Sequence, residues 1–308
     1  MNIQKIRIKA PAKINLHLEV IGKRKDGFHE LAMIMQSIDL SDYLEIENNN
    51  TGEIRLTSNT KIPNKDNLIV RASNLLKDNF KERNLGADIY LKKNIPIGAG
   101  LAGGSSDAAG TLVGLNKLWN LKLSSADLHF LAAKLGSDVP FCINGGSQYC
   151  FGRGESLEAY KSDSNYCVIL IKNRDVSLST SEIYKKYSLK FNPSKDLLIC
   201  EINEKKESLK KMGFDKSNFL NNGLAIRNDL QEIAERESSS VKNALSILTE
   251  FNNNLGYSMS GSGPSCYAVF ENYNLAKKCY EENIDFLKKM NFDVWICNFL
   301  SKGVLIKE

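Results

Sequence analysis

Histidine is scarce in this chain, three residues in 308, and the seven cysteines (142, 150, 167, 200, 266, 279, 297) are scattered and odd in number. No cysteine pair has Cys-x-x-Cys spacing and no histidine falls near one in sequence, so a structural zinc site is not expected. The cysteines read instead as reduced core residues of a cytoplasmic protein. No run approaches the ~18 uninterrupted apolar residues of a membrane span, and no membrane partner is expected. Met1 to Ala10 alternates Ile with Lys and Arg and has no apolar h-region, which predicts a strand and not a signal peptide. A dominant charge is also missing: 41 basic and 36 acidic residues, net +5, are interleaved. That surplus suits an anionic small molecule as well as nucleic acid and decides nothing alone. The densest basic stretch, Glu204 to Lys216, alternates Lys with Glu as a solvated helix face does. No basic patch is interleaved with aromatics, so no nucleic-acid partner is expected.

What is present is ordinary globular composition, 42% hydrophobic and 25% charged, with length enough for two domains. Alternation predicts strands at Ile3 to Lys9 and Ile14 to Ile21, with further candidates at Leu44 to Asn48 and Glu53 to Thr57. Asp66-Asn67 opens a helix with Leu68, Ala72, Leu75 and Leu76 on one face. Ala87 to Lys92 predicts a strand entering a glycine-rich loop, Gly98 to Gly104. Ser105-Ser106-Asp107 is expected to cap a long helix with Ala109, Leu112, Leu115 and Trp119 inward. A second helix is predicted from Ser124-Ser125 to an αL terminator at Gly136. The domain boundary is placed near Gly152 to Asp163. Beyond it, Tyr166 to Ile171 reads as a buried strand, Ser240 caps a helix through Phe251, Cys266 to Phe270 is a strand and Asn274 to Met290 a helix. Asn48 to Asn50 and Asn252 to Asn254 read as turns. Strands and helices mix without regular alternation, which favours two α+β domains.

The segment Pro96-Ile-Gly98-Ala-Gly100-Leu101-Ala102-Gly103-Gly104-Ser105-Ser106-Asp107 carries the most chemistry. Glycines let the backbone turn sharply and approach a ligand. The helix after them presents unpaired N–H groups and the positive end of its dipole. Together they make a site for phosphate oxygens. The literal Gly-x-Gly-x-x-Gly match to a dinucleotide fingerprint fails because no acidic strand end follows roughly 20 residues later. A Walker A reading fails because no Gly-Lys-Ser/Thr follows. A second loop, Ser260 to Ser265, is either a hairpin turn or a segment that closes over a phosphate or substrate. Lys13 and Asn15 lie two apart on one side of a strand, which suits a solvated edge as well as a site. Phe28 stands beside His29, while His17 and His129 read as structural. Asp138, just past a helix end and ahead of an expected apolar strand, either caps the chain or serves as a general base.

In this order and spacing, Pro11 to Leu16, Pro96 to Ala109 and Ser260 to Pro264 resemble the three motifs of the GHMP kinase superfamily. The likeness spans nearly the whole chain. Ala12 to Leu16, Gly27 to Leu31, Asp66 to Ala72 and Gly136 to Pro140 are similar to the branch whose acceptor carries a cytidine diphosphate. The resemblance implies an N-terminal ribosomal S5 domain 2-like domain (1–158), a ferredoxin-like C-terminal domain (159–308) and an active site between them. It also implies ATP with Mg²⁺ as cofactors, and phosphorylation of the 2-hydroxyl of a small cytidylylated acceptor by a monomer or weak homodimer.

Site residues follow from the same resemblance. Asp138 matches the catalytic Asp, and Lys13 the Lys beside it. Asn67 and Leu68 fall in the adenine-pocket segment, and Pro96, Gly98, Gly100, Leu101, Ala102, Gly103, Gly104, Ser105 and Ser106 in the phosphate loop. Asn15 and His29 match acceptor contacts, with Asp138 beside them; Phe28 and Tyr184 fall where aromatics stack on cytosine. Gly261, Ser262 and Gly263 belong to the third motif, and no protein metal ligand is nominated. Phe28 stands where Tyr is usual and Ala102 where Gly is usual. The competing readings are a homoserine- or mevalonate-type kinase of the same superfamily and a non-catalytic nucleotide sensor. The Phe28-His29 pair argues against the first; the presence of both Lys13 and Asp138 argues against the second.

Overall fold

The two strands expected at the start of the chain are one. A computed structural model describes residues 4–49, 51–62, 66–81, 83–160, 165–192, 199–212 and 226–307; in it β1 runs unbroken over Lys5–Lys23 and hairpins into β2, His29–Asn49. Pro11, which has no N–H to give the ladder, sits at a register shift between Pro11 and Ala12. Further shifts lie between Asn15 and His17 and between Val20 and Gly22. Bulges of this kind bend a strand and re-aim its side chains.

Six strands complete the first sheet. β3 (Ile54–Ser58) lies parallel to β4 (Gly86–Lys92), which pairs with the distal half of β2. β5 (Ser147–Gly152) pairs with the proximal half of β2 and with β6 (Ser156–Tyr160). Two later strands, β8 (Arg227–Asn228) and β12 (Leu305–Lys307), return to β1. The second sheet is four-stranded and antiparallel, in the order β11 (Phe292–Asn298), β7 (Cys167–Asn173), β10 (Cys266–Phe270), β9 (Gly256–Met259).

Helix α2 (Gly103–Leu118) packs on β1 and β2. Gathered around it are α1 (Leu68–Asn79), α3 (Ser125–Leu135) and α4 (Val139–Asn144). A methyl at Gly114 would meet Ile46 Cδ1 at 2.8 Å, so glycine there lets α2 lie close on the sheet. After β7 come α5 (Thr180–Phe191), α6 (Ile199–Met212) and α7 (Gln231–Glu237). Helices α8 (Ser239–Thr249) and α9 (Tyr273–Lys289) cover the second sheet. Ala12, Ile14, Leu16 and Ile34 of the first sheet cluster with Val168, Leu170, Tyr267 and Val269 of the second. Ile169, Ile171, Ala268 and Phe270 point the other way, into the cluster that holds Val241, Leu245 and Leu287 of α8 and α9. β7 is therefore buried on both faces, and its residues read as a continuous apolar run.

Several expected details differ. α2 begins at Gly103, with Ala102 as its N-cap residue in a left-handed conformation (φ 54°), so the serines lie inside the first turn and cap nothing. Gly136 ends α3 with extended backbone (φ 173°), not the αL form, although Ser124 does open that helix in a capping box with Asp127. The apolar run after Asp138 is α4, not a strand. Helix α8 starts at Ser239, and its N-cap residue Ser238 makes no side-chain cap bond. Asn48 and Asn49 end β2 instead of forming a turn. Residues 1–3, 50, 161–163 and 213–216 of the segments read from sequence lie outside the described residues. Among the described residues no helix is long and apolar enough to cross a membrane, and all seven cysteines are free.

Candidate active site

The first glycine loop is anchored before it begins. Asp42 Oδ1 accepts from the backbone N–H groups of Asn94 (2.6 Å) and Ile95 (2.8 Å). Lys93 Nζ bridges Asp42 Oδ2 (2.5 Å) and Asp107 Oδ2 (2.7 Å), all three side chains being nearly buried. From Pro96 the chain makes left-handed turns at Gly98, Gly100 and Ala102 and enters α2. The first helical bond runs from Ser106 N to Ala102 O. The amides of Gly103, Gly104 and Ser105 precede it and have no acceptor within the helix. Ser106 is turned inward, donating to Pro11 O at 2.7 Å. Lys13 N donates to Leu101 O (3.1 Å), so the middle of β1 is stitched to the loop at two points.

Burial pushes the Asp107 carboxyl above its ordinary value, opposed by the Lys93 charge and reinforced by that of Asp42. Burial acts to lower Lys93, but the two carboxylates outweigh it and hold the amine above its ordinary value.

The second glycine loop closes on the first. Ser260 Oγ donates to Gly100 O (3.0 Å) and Ser265 N to Ala99 O (3.3 Å). A methyl at Gly100 would lie 2.2 Å from Ser260 O, so the approach requires glycine. Asn228 Nδ2 donates to the carbonyls of Met259 and Gly261, both at 2.8 Å, and Thr180 Oγ1 bonds Ser262 Oγ at 2.8 Å.

Between the loops stands a charged pair. Lys13 Nζ donates to Asn15 Oδ1 (2.6 Å) and lies 3.4 Å from Asp138 Oδ2. The Lys13 side chain is 6% exposed and that of Asp138 30%. Asp138 is the N-cap residue of α4 yet makes no side-chain cap bond, which leaves its carboxylate turned to the cleft and not to the helix. Asn15 also donates to Met33 Sδ (3.4 Å). It is thereby held in place on both sides of its amide.

At the far end lies an aromatic group. His29 stacks on Tyr184 with ring centroids 5.1 Å apart, and its Nε2 contacts Ser188 Oγ at 2.7 Å. Burial, then the charge of Lys23, hold His29 below its ordinary pKa, so the ring is neutral near pH 7. Phe28 is 53% exposed and lies under the Arg153 guanidinium.

One cavity of about 1180 Å³ joins these parts, reaching from Asn67 and Leu68 past the loop, Lys13 and Asp138 to Phe28, His29 and Tyr184. Ser106 and Gly263 do not line it; the other residues singled out in the sequence do. Its walls carry five cations (Lys13, Lys23, Lys93, Arg153, Lys185) against two carboxylates (Asp107, Asp138), a balance that favours an anionic occupant. Lys93, Arg153 and Ser188 are wall residues that the sequence did not single out, and Asp107 was read only as part of a helix cap. Lys93 had the clearest signal, an extra lysine at a strand end directly before a glycine-rich loop.

Among the described residues no group of three or more His, Cys, Asp or Glu could hold a metal ion. Oxygen donors at the start of α2 are the Ser105 hydroxyl and Asp107 Oδ1, which has no hydrogen-bond partner. They suit a hard cation that takes its remaining ligands from phosphate and water.

Comparison with known proteins agrees with this geometry. The GHMP kinases N terminal domain model matches residues 67–146 and the GHMP kinases C terminal model residues 209–289. A relative from Prochlorococcus marinus subsp. pastoris, strain MED4, is 53% identical over 99% of this chain and 99% of its own length. Another, from strain MIT 9301, is 57% identical over 97% of each. Both are named 4-diphosphocytidyl-2-C-methyl-D-erythritol kinase. A crystal structure of 4-(cytidine 5'-diphospho)-2C-methyl-D-erythritol kinase is similar with a TM-score of 0.71 at 26% identity, covering 95% of this chain and 98% of that one. A homoserine kinase from Cytophaga hutchinsonii reaches a TM-score of 0.74 at 17% identity, covering 100% and 98%, and shares the fold alone.

Proposed function

The chain belongs to the GHMP kinase family, and on that premise we propose that it transfers the γ-phosphoryl group of ATP to the 2-hydroxyl of 4-diphosphocytidyl-2-C-methyl-D-erythritol. The products are the 2-phosphate and ADP, a step in non-mevalonate isoprenoid precursor biosynthesis. The observation that carries this reading is the 3.4 Å Lys13–Asp138 pair, set in one cavity between an amide-lined helix start and a histidine-aromatic group.

Phosphoryl transfer asks a protein mainly for positioning and charge stabilisation. The amides of Gly103, Gly104 and Ser105, with the positive end of α2, hold the triphosphate. Asn67 and Leu68, at the start of α1, wall the adenine, and Ser262 with Gly261 closes the opposite side. Asp138 accepts the proton of the acceptor hydroxyl as its oxygen bonds to the γ-phosphorus and the bond to ADP breaks. Lys13, fixed by Asn15, orients that carboxylate and offsets charge on the reacting oxygen. Mg²⁺, when bound beside Ser105 and Asp107, supplies charge neutralisation on the phosphates. At the other end a neutral His29 reads the cytosine edge, while Tyr184 and Phe28 wall the base and Lys23 and Lys185 face its diphosphate. The chain, divided near residue 158, works on these small molecules in the cytoplasm as a monomer or weak homodimer, with no nucleic acid or membrane partner.

The test incubates the protein with Mg-ATP and the cytidylylated methylerythritol, then follows ADP and the 2-phosphate by phosphorus NMR, with homoserine and mevalonate in parallel. Turnover of either of those in preference to the cytidylylated acceptor would overturn the reading.

A further inference from the structure

We propose that Arg153 is a positioning residue for the acceptor's nucleobase, bracing one face of Phe28 so that the other face stands ready for the ring. The inference rests on the acceptor reading above and assigns a role to a side chain with no part in the phosphoryl-transfer chemistry.

Phe28 has a fixed backbone and an unfixed side chain. It sits at the turn between β1 and β2, where Arg24 N donates to Phe28 O (2.8 Å) and Gly27 N to Arg24 O (3.1 Å). Asp26 Oδ1 accepts from Phe28 N (3.1 Å). Arg24 in turn grips Asp26 and Glu30. The residue is 53% exposed, so core packing does not choose its rotamer. Exposed side chains exchange rotamers in picoseconds to nanoseconds, and ordering one on binding detracts from affinity.

Arg153 supplies the missing constraint. Its guanidinium carbon lies 5.0 Å from the centroid of the Phe28 ring, within the range of a cation–π contact. The arginine is itself held. Glu155 Oε2 accepts from its backbone N–H (2.6 Å) and Oε1 faces its Nε (3.4 Å). Left-handed glycines flank it at 152 (φ 70°) and 154 (φ 118°). This turn between β5 and β6 is seated against the reaction centre, since a methyl at Gly154 would meet Met33 Cε at 3.0 Å and Asp138 Oδ1 at 3.8 Å. One short turn therefore ties the base wall to the element beside the catalytic pair.

A direct bond from Arg153 to the acceptor's diphosphate is the rival account, and a double-substitution cycle separates the two. Affinity for CDP, the probe, is measured by titration calorimetry for the unchanged protein, R153A, F28A and the double variant. R153A is expected to weaken CDP about two- to fivefold, the worth of an exposed cation–π contact, with R153K keeping part of it. The KM for the acceptor should rise by that factor, kcat should move less, and the KM for ATP should stay put. In the F28A background, R153A should cause no further loss. Unaltered CDP affinity in R153A would overturn the proposal, as would the same loss with Phe28 already removed. If the unchanged protein fails to bind CDP at all, the acceptor reading falls, and this inference with it.

Discussion

Gly100→Ala tests whether the two glycine loops must touch. The added methyl would lie 2.2 Å from the carbonyl oxygen of Ser260 and 3.0 Å from both N and O of Gly263. All three are backbone atoms, so no side-chain rotation relieves the clash. Position 100 also has φ 75°, which costs an L-residue about 1–2 kcal/mol. Forcing the loops apart adds about 1–3 kcal/mol of overpacking, for a total loss of about 2–5 kcal/mol. The bonds from Ser260 Oγ to Gly100 O and from Ser265 N to Ala99 O span the same seam. Displacing it therefore disturbs both glycine loops together.

Gly104→Ala is the matched control, four residues on in the same motif. Its methyl would meet only Leu68 Cδ1 at an ordinary 3.7 Å, and alanine is favoured over glycine in a helix by up to about 1 kcal/mol. Urea unfolding followed by circular dichroism should show a lowered midpoint for Gly100→Ala and an unchanged or raised one for Gly104→Ala. Equal midpoints for the two variants would refute the argument, because sequence alone treats these glycines alike.

The remaining predictions use the same assays. Asp138→Ala should lower turnover by about 10²–10⁴-fold, the usual contribution of a general base, while calorimetry still detects ATP binding; a near-normal rate would remove Asp138 from that role. Ala102→Gly should stabilise the protein by about 0.5–1 kcal/mol, because Ala102 holds φ 54°, where glycine escapes the left-handed penalty but gains unfolded-state freedom; a lower unfolding midpoint would contradict this. His29, held below its ordinary 6.5 by burial, should leave the acceptor KM flat through neutral pH and raise it only in acid. A limb centred at or above 6.5 would argue against a buried neutral ring.

The first glycine loop was legible because its signal is local: glycines close together, then a helix. Its boundary was not. Ser105-Ser106-Asp107 has the composition of a helix cap, but the left-handed turn at Ala102 starts the helix earlier, and no rule of composition expects alanine there. The run after Asp138 was read as a strand because a short apolar segment fits strand or helix equally; tertiary packing against α2 and α3 selects α4. The strands expected at Ile3 to Lys9 and Ile14 to Ile21 are one, because a register shift absorbs Pro11 between them. Lys93 and Arg153 escaped notice for a different reason. Their significance lies in Asp42, Asp107 and Phe28, partners that only the folded chain brings near.

The bulges in β1 also account for how a single strand serves two cores and the Lys13–Asp138 pair. A regular strand sends every even residue to one face. Here Ile6, Ile8 and Ala10 join the cluster containing α2, whereas Ala12, Ile14 and Leu16 join the one beneath the second sheet, and Leu18 and Val20 return to the first. The two reversals coincide with the register shifts at Pro11/Ala12 and Asn15/His17. Only within the reversed segment do odd residues face α2 and α4, and the two side chains this turns inward are Lys13 and Asn15, placing the amine within reach of Asp138. In an unbulged strand the alternation would carry both to the opposite face. The irregular backbone is therefore what delivers the charged pair to the mouth of α2, and the apolar residues around it pay no penalty, because each finds a core on whichever side it lands.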